Sequence, residues 1–450
     1  MAAEKLLKPG ALLNKLLNTA VSGSNVLPLT GFCNLGCIFC SHRHNPPGIH
    51  AYSFQPLPAE QIMHLLECLD PGRKIIIGES ATRLREGEPL THPHIIPILE
   101  SLRKRYPSTL IQVTTNGSLL TEALMDKLAA LQPLELVISL NSATRAIRAR
   151  LMSDRRFAQT LEAVTSLSAL GIPFHGSVVG LPHLVGWNDI EKTARFLQNC
   201  GALSIRYLVA GFSRYFSPEL LPPANWRQES QKRLQYLKET LRIPLFIDPP
   251  LIDNLEPIIS GVIPGSPAAE AGFKAGDLIK TVDGKVPFSR VEAYNLVKVS
   301  ENPRLDILRR EAVTCLSIIK RAGQSPGLAF DFDLDPDQVE RVRSALSPVG
   351  QTLMLVSAPA YERWKMAVTA CRLDNLSVEP VSSHYFGGTI DAAGLLTVGD
   401  FALTLEKIPT RKSFTMILFP AIAFDQAGTD LAGHSFLSLK ETGPRVKLIG

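Results

Sequence analysis

No stretch of this 450-residue chain is apolar for long enough to cross a membrane as a helix. The longest apolar run, Phe414 to Phe424, has only the length of a strand and contains Pro420. The first ten residues carry Glu4, Lys5, Lys8 and Pro9 where a secretory leader needs an unbroken apolar core. Cysteine is scarce. Of seven, Cys68, Cys200, Cys315 and Cys371 are scattered, which speaks against a disulfide framework and shows no second cluster spacing; such lone cysteines usually sit in the core. Net charge is small too: 47 Lys and Arg against 42 Asp and Glu leave +5, so bulk electrostatics lend no support to nucleic-acid binding. The basic run from Arg145 to Arg156 reads as a solvated helix face. With 45% hydrophobic residues the chain has apolar material for two or three soluble domains, and a reducing cytoplasm is the expected location.

The remaining three cysteines are crowded into Thr30 to Cys40. Cys33, Cys37 and Cys40 follow a Cys-x3-Cys-x2-Cys spacing. Three thiolates suit a four-iron, four-sulfur (4Fe-4S) cluster with one iron lacking a protein ligand, and an open iron is a place where a small molecule can bind and receive an electron. The alternative is a zinc knuckle, with His42 or His44 as the fourth ligand. The spacing, with Gly36 before the second cysteine and Phe39 before the third, resembles the radical S-adenosylmethionine (SAM) superfamily. That resemblance implies that the amino and carboxylate groups of SAM chelate the open iron. It implies that one electron from the oxygen-labile cluster cleaves the sulfonium bond, and that the resulting 5'-deoxyadenosyl radical abstracts hydrogen from a substrate. An electron donor such as flavodoxin or ferredoxin is implied as a partner.

Strand and helix patterns alternate after this loop. An amphipathic helix broken at Pro9-Gly10 is expected in the first 25 residues, then a strand over Asn25 to Leu29. Strands follow at Lys74 to Gly78, Leu110 to Thr114, Leu134 to Leu140, Pro173 to Val179 and Leu203 to Val209. The helices between and after them are expected at 94–105, 121–131, 144–170, 189–200 and 228–241. The expected fold class is α/β: a partial (β/α)6 TIM-like barrel over 26–248, with ligands at the carboxyl ends of its strands. There the family resemblance assigns Gly87, Glu88 and Pro89 to the SAM amino group, with Glu79, at the end of its own strand, as the competing carboxylate. Thr115 and Asn116 resemble the family's Thr-Asn-Gly turn. Ser139 and Asn141 face the ribose, Arg148 or Arg150 the SAM carboxylate, and Ser177 the adenine. A further likeness in short motifs, to radical SAM proteins that carry the domain of unknown function 512, makes His175, Asn188, Arg214 and Tyr215 candidates facing substrate.

Pro249-Pro250 ends this domain, and residues 256–284 resemble a bacterial PDZ domain. Its expected extent is 250–322, with a turn at Asp283-Gly284 and a carboxylate-binding loop near Glu256 to Ile259 that lacks the usual glycines. PDZ domains add a peptide to a sheet edge, so a peptide or protein partner is expected here, or an intramolecular docking role. Residues 325–450 read as a C-terminal α/β domain whose segment Ser383 to Asp400 resembles the 512 family; His384 and Asp400 are site or structural residues there. The expected function is a radical SAM enzyme acting on a peptide or protein. The rivals are small-molecule or cofactor modification with the PDZ as an assembly element, and a non-catalytic iron-sulfur scaffold or electron-transfer protein.

Overall fold

The computed structural model describes residues 9–40, 44–49, 52–79, 84–223, 226–250, 252–442 and 444–450. Of these, the residues up to 40, 52–208 and 239–242 form one compact unit and the remainder a second. The first element among the described residues is α1 (Pro9–Ser24), which includes both Pro9 and Gly10, so the break expected at that pair is not seen within it. Asn25 follows with φ 55°, and its side chain donates to the carbonyls of Asp70, Arg73 and Lys74 at 3.1–3.2 Å. The next residues are buried but make only one bridge, Val26 to Ile76, so the strand expected over Asn25 to Leu29 does not form.

From there the elements alternate in order: α2 (Ala59–Leu66), β1 (Ile75–Ile77), α3 (Ile95–Arg105), β2 (Ile111–Thr115), α4 (Glu122–Ala129), β3 (Leu134–Ser139), α5 (Arg145–Met152), α6 (Phe157–Ser166), β4 (Phe174–Gly180), α7 (Pro182–Val185), α8 (Trp187–Asn199), β5 (Ile205–Val209), α9 (Trp226–Thr240) and β6 (Leu245–Asp248). Strands β1 to β6 form one sheet in sequential order, parallel from β1 through β4, as a partial radical SAM barrel requires. There are six strands as expected, but the sixth is Leu245–Asp248 in place of Asn25 to Leu29. The helix expected over Thr144 to Leu170 is two, α5 and α6. Ser153 adopts φ 57° between them, and Asp154 turns its carboxylate to the Arg156 amide at 2.7 Å and to Arg148.

The sheet's two faces differ as the period of two demands. In β3, Leu134, Leu136 and Ile138 are fully buried, while Glu135, Val137 and Ser139 alternate with them. Pairing Ser139 with Ser177 and Val137 with His175 places those residues on the same face as Gln112 and Thr114. This second face carries Gln112, Thr114, Glu135, Ser139, His175 and Ser177, with the apolar Ile76 and Val137 among them.

The following segment holds β7 (Gly261–Val262), α10 (Pro267–Glu270), β8 (Leu278–Val282), α11 (Arg290–Val299), β9 (Arg304–Arg309), β10 (Ala312–Ser317) and β11 (Leu328–Ala329). Strands β8, β9 and β10 make an antiparallel sheet, and β11 pairs antiparallel with β7. Asp283 and Gly284, at φ 49° and 78°, form the tight two-residue turn after β8 that the Asp-Gly pair favours. The last part contains α12 (Pro336–Ala345), β12 (Thr352–Ser357), α13 (Ala358–Ala370), β13 (Leu376–Val381), α14 (Val398–Glu406), β14 (Met416–Pro420) and β15 (Arg445–Ile449), with a parallel sheet in the order β13-β12-β14-β15. Strand β12 is buried on both faces: Met354 and Val356 pack with Val339 and Trp364, and Leu353 and Leu355 with Phe401 and Phe419. Among the described residues no helix is long and apolar enough to cross a membrane.

Candidate functional site

The cysteine loop is tied down by its backbone. The Gly36 and Ile38 amides donate to the carbonyls of Met152 and Leu151 at the end of α5, at 3.0 and 2.9 Å, and Cys40 closes a turn on the Cys37 carbonyl. Asn34 reaches the end of β2 as well: its amide donates to Ser118 Oγ at 2.9 Å, and its carbonyl oxygen accepts from the Asn116 side chain at 3.0 Å. Cys33, Cys37 and Cys40 thereby line one cavity of about 200 Å³. Its other walls come from the carboxyl ends of β2, β3 and β4 and from Gly78 and the 85–88 turn.

That turn needs its glycine. A Cβ on Gly87 would stand 1.9 Å from the Phe32 carbonyl oxygen, because the turn lies directly on the cysteine loop through Gly87 N–H to Thr30 O (2.7 Å) and Glu88 N–H to Phe32 O (2.9 Å). Gly78, at φ 81°, is equally constrained, since a Cβ would meet the Thr114 carbonyl at 2.3 Å.

Of the residues expected at the SAM site, Phe39, Gly87, Glu88, Thr115, Asn116, Ser139, Asn141 and Ser177 all line this cavity. Pro89 is buried just behind it, opening a 3-10 turn. Glu79 does not line it; its carboxylate accepts from Gln112 Nε2 at 2.8 Å and Thr114 Oγ1 at 3.2 Å. Arg150 is not brought there either, and its guanidinium donates to the Leu184 carbonyl. Arg148 is fully buried, bonded to Asp154 at 2.6 Å and to the carbonyls of Asn116 (2.6 Å), Ser139 (3.2 Å) and Leu140, so it fastens the cavity walls from behind.

His175 was expected at the barrel mouth but occupies the second position of β4, about 13 Å along the strand from Val179 at a rise of roughly 3.3 Å per residue. There it bonds Ser204 Oγ at 2.7 Å and lies 3.5 Å from Glu135, which Lys74 also meets at 2.9 Å. Against the effect of burial, these two partners hold the Glu135 carboxyl down at about 2. Asn188, in the first turn of α8, is not among the cavity residues. Arg214 and Tyr215 belong to the second compact unit; the Arg214 amide donates to the Phe386 carbonyl at 2.9 Å, its guanidinium to the Tyr215 hydroxyl at 3.0 Å, and neither lines the cavity. Asp400 is a structural residue, capping α14 and accepting from the backbone amides of His384 and Tyr385.

The donor set fits a cluster. Among the described residues no group of three His, Cys, Asp or Glu side chains is set to hold a single metal ion, yet three soft sulfur donors surround one cavity. Burial and the neighbouring Cys33 and Cys40 push the Cys37 thiol up to about 12, so a free thiolate is costly there and a cationic cluster would relieve that cost. His44 commits its ring to Phe216, stacked at 3.8 Å, and His42 lies outside the described residues.

Sequence reasoning missed one cavity residue with clear chemistry. Glu86 lines the cavity, accepts the Leu29 amide at 3.2 Å and the Thr30 amide, and is pushed up to about 8 by burial. The only signal was a carboxylate directly preceding the Gly87-Glu88 turn.

In the PDZ-like segment, the amides of Glu256, Ile258 and Ile259 are spent on Asn254 Oδ1, Glu256 O and Asp277 O, and Pro257 has none. The loop expected to cradle a carboxylate therefore has no donors left to offer.

Comparisons agree with this layout. Residues 27–197 match the family model of the radical SAM superfamily, and residues 258–309 that of the PDZ domain. Similar solved structures include Streptococcus suis SuiB bound to S-adenosylmethionine, at 15% identity over 49% of each chain with a TM-score of 0.39. Native anSMEcpe with bound AdoMet and Cp18Cys peptide aligns at 14% identity over 48% of this chain and 59% of that one, TM-score 0.36. A radical SAM methyltransferase from Sphaerobacter thermophilus aligns at 16% identity over 49% and 65%, TM-score 0.35. The chain spans about half the length of the SuiB structures it matches. No curated protein matches it. The chain thus carries a radical SAM superfamily domain over residues 27–197 and a PDZ domain over residues 258–309.

Proposed function

We propose that this protein is a radical SAM enzyme that binds a 4Fe-4S cluster on Cys33, Cys37 and Cys40 and cleaves SAM to abstract hydrogen from a peptide or protein substrate. The observation that carries this is the convergence of all three cysteines of one Cys-x3-Cys-x2-Cys loop on a single cavity at the carboxyl ends of parallel strands. When bound, the cluster supplies the electron for sulfonium cleavage. The chain's own groups hold and orient. The backbone of Gly36 and Ile38 and the Asn34–Asn116 pair fix the cysteine loop, and Phe39 forms part of the wall beside it. Ser139, Asn141 and Ser177, at the carboxyl ends of β3 and β4, line the cavity where a nucleoside would lie. Asn141, held at φ 59° with its side-chain Oδ1 accepting the Val179 amide at 2.8 Å, joins the ends of β3 and β4.

The PDZ domain supports a peptide or protein substrate, since such modules take an extended segment at a sheet edge. A flavodoxin or ferredoxin serves as electron donor, and the cytoplasm is the compartment that suits reduced thiols. We also read residues 325–450 as a domain resembling the 512 family.

The test is direct. The full chain, loaded anaerobically with iron and sulfide, reduced and given SAM, should form 5'-deoxyadenosine, and faster with its peptide present. Cys37→Ala should remain folded and lose iron loading. Normal iron content in that variant, or no 5'-deoxyadenosine from the loaded wild type, overturns the assignment.

A further inference from the structure

One edge of the PDZ-like sheet is open. Strand β10 (Ala312–Ser317) is the outermost of its three strands, and all of its residues except Leu316 are exposed. Its register on β9 decides which of its backbone groups are spare. The Ile318 amide donates to the Pro303 carbonyl at 3.0 Å, and in an antiparallel ladder the pairs that exchange hydrogen bonds alternate with pairs that do not. Leu316, Thr314 and Ala312 therefore also turn N–H and C=O toward β9. Arg304, opposite Ser317, agrees with this, since its carbonyl accepts the Asp283 amide from the far side of β9. Val313, Cys315 and Ser317 are left with their N–H and C=O groups turned outward, where no strand among the described residues meets them. Edges of this kind are ordinarily protected by charge, proline or a bulge. Residues 312–319 contain no charged residue and no proline, the β9–β10 register runs without a shift, and Val313 and Ile319 are 68% and 74% exposed.

We propose that β10 is a contact between two copies of this chain, paired antiparallel about a two-fold axis at Cys315. That register sets Cys315 opposite Cys315 and Val313 opposite Ser317 in both directions, as a self-complementary interface requires. Every outward N–H and C=O then finds a partner, and the two sheets run on as one. Because the outward residues are centred on Cys315, a shifted register leaves some of them unpaired. Charge selects a second copy over an arbitrary peptide. The strand is neutral, with exposed Glu311 just before it and exposed Arg321 beyond its end. Antiparallel pairing makes Glu311 of one copy a diagonal neighbour of Arg321 of the other, at both ends of the contact. Arg310 comes opposite Lys320, but the Lys320 amine is turned inward onto the carbonyls of Lys298, Ser300 and Arg321.

The test is sedimentation velocity of the full chain over a range of concentrations, for wild type, Cys315→Lys, Cys315→Glu and an equimolar mixture of the two variants; it needs no SAM chemistry. Wild type should be dimeric where each variant alone is monomeric, since like charges facing each other across the axis should weaken association about tenfold or more. The mixture should dimerise again, because lysine then faces glutamate. Asp306 lies opposite position 315 on β9, and the Arg304 Nε reaches Cys315 Sγ at 2.7 Å, so a side chain of either charge has a partner within the chain and both variants should keep the wild-type thermal transition. A wild type that stays monomeric at every concentration, whether or not its edge takes up an added peptide, overturns the proposal. So does a dimer that neither charge disturbs, or a mixture that associates no better than the variants alone. If either variant fails to fold, Val313→Pro takes its place: it removes only an outward N–H, and a dimer as tight as that of wild type refutes the contact.

Discussion

Arg148 offers the sharpest test of how the cavity is built. It is fully buried with Asp154 as its ion-pair partner, and it donates to three carbonyls at the ends of β2 and β3. Replacing it by Met leaves the Asp154 carboxylate buried without its cation, and breaking a buried pair in this way costs about 3–5 kcal/mol. The double variant Arg148→Met/Asp154→Leu removes the stranded charge. It still loses the donors to the Asn116, Ser139 and Leu140 carbonyls, at roughly 1 kcal/mol each, so it should recover about 2 kcal/mol of the loss without reaching wild type. Amide hydrogen exchange in β2 and β3 reads this locally, since every ~1.4 kcal/mol is tenfold in the opening equilibrium. Protection there should fall by about two to three and a half orders of magnitude in Arg148→Met, and by clearly less in the double variant. A loss under tenfold, or a double variant as damaged as the single one, would refute the view that the ion pair locks the strand ends around the cavity.

Three further outcomes follow from the same structure. The Glu86 carboxyl, ordinarily near 4.5, is pushed up to about 8, so the folded chain holds a proton that the unfolded chain has already lost between those values. Stability of the cluster-free protein from this group is therefore unimpaired below pH 4.5 and declines as pH rises to 8, by of order 3–5 kcal/mol; melting at pH 5 and pH 8 should show that slope in wild type and not in Glu86→Gln. Glu135, held down at about 2, behaves in reverse, and Glu135→Gln should remove a stability loss confined to the acid side. The PDZ segment should not fold as residues 253–321, because β11 pairs with β7, Leu328 belongs to its core, and Asp333 accepts the Arg290 and Val291 amides at the start of α11. Extending the fragment to residue 335 should give a cooperative thermal transition where the shorter one gives none.

The elements that were legible in the sequence are those whose evidence is local. Leu134 to Ser139 is apolar at every second position, Leu134, Leu136 and Ile138, and becomes β3, and Asp283-Gly284 can satisfy two positive φ angles and becomes a turn. Where the outcome depends on a distant partner, the pattern misleads. The apolar run Asn25 to Leu29 has the composition of a buried strand and is buried, but only one of its residues meets β1 in register; four-residue β6 carries too short a pattern to announce itself. His175 shows the same limit within a correctly placed strand, since alternation tells which face it shares with Ser177 but a polar residue on that face is as easily at the floor as at the mouth.

The site divides along the same line. Three cysteines within eight residues line one cavity because the short loop that joins them keeps them together. The carboxylates are not fixed so locally. Glu79, Glu86 and Glu88 lie within ten residues of one another, and the motif's own order favours Glu88. What decides among them is how closely the turn lies on the Phe32 carbonyl, a contact set by Gly87, and which carboxylate is then met by Thr115 and Asn116, 27 and 28 residues further on. Those two donors, with the Leu90 amide, hold Glu88, while the Leu29 and Thr30 amides hold Glu86. A motif can thus be read correctly as a place while the partners of each of its residues are chosen by packing, through hydrogen bonds that no local pattern could reveal.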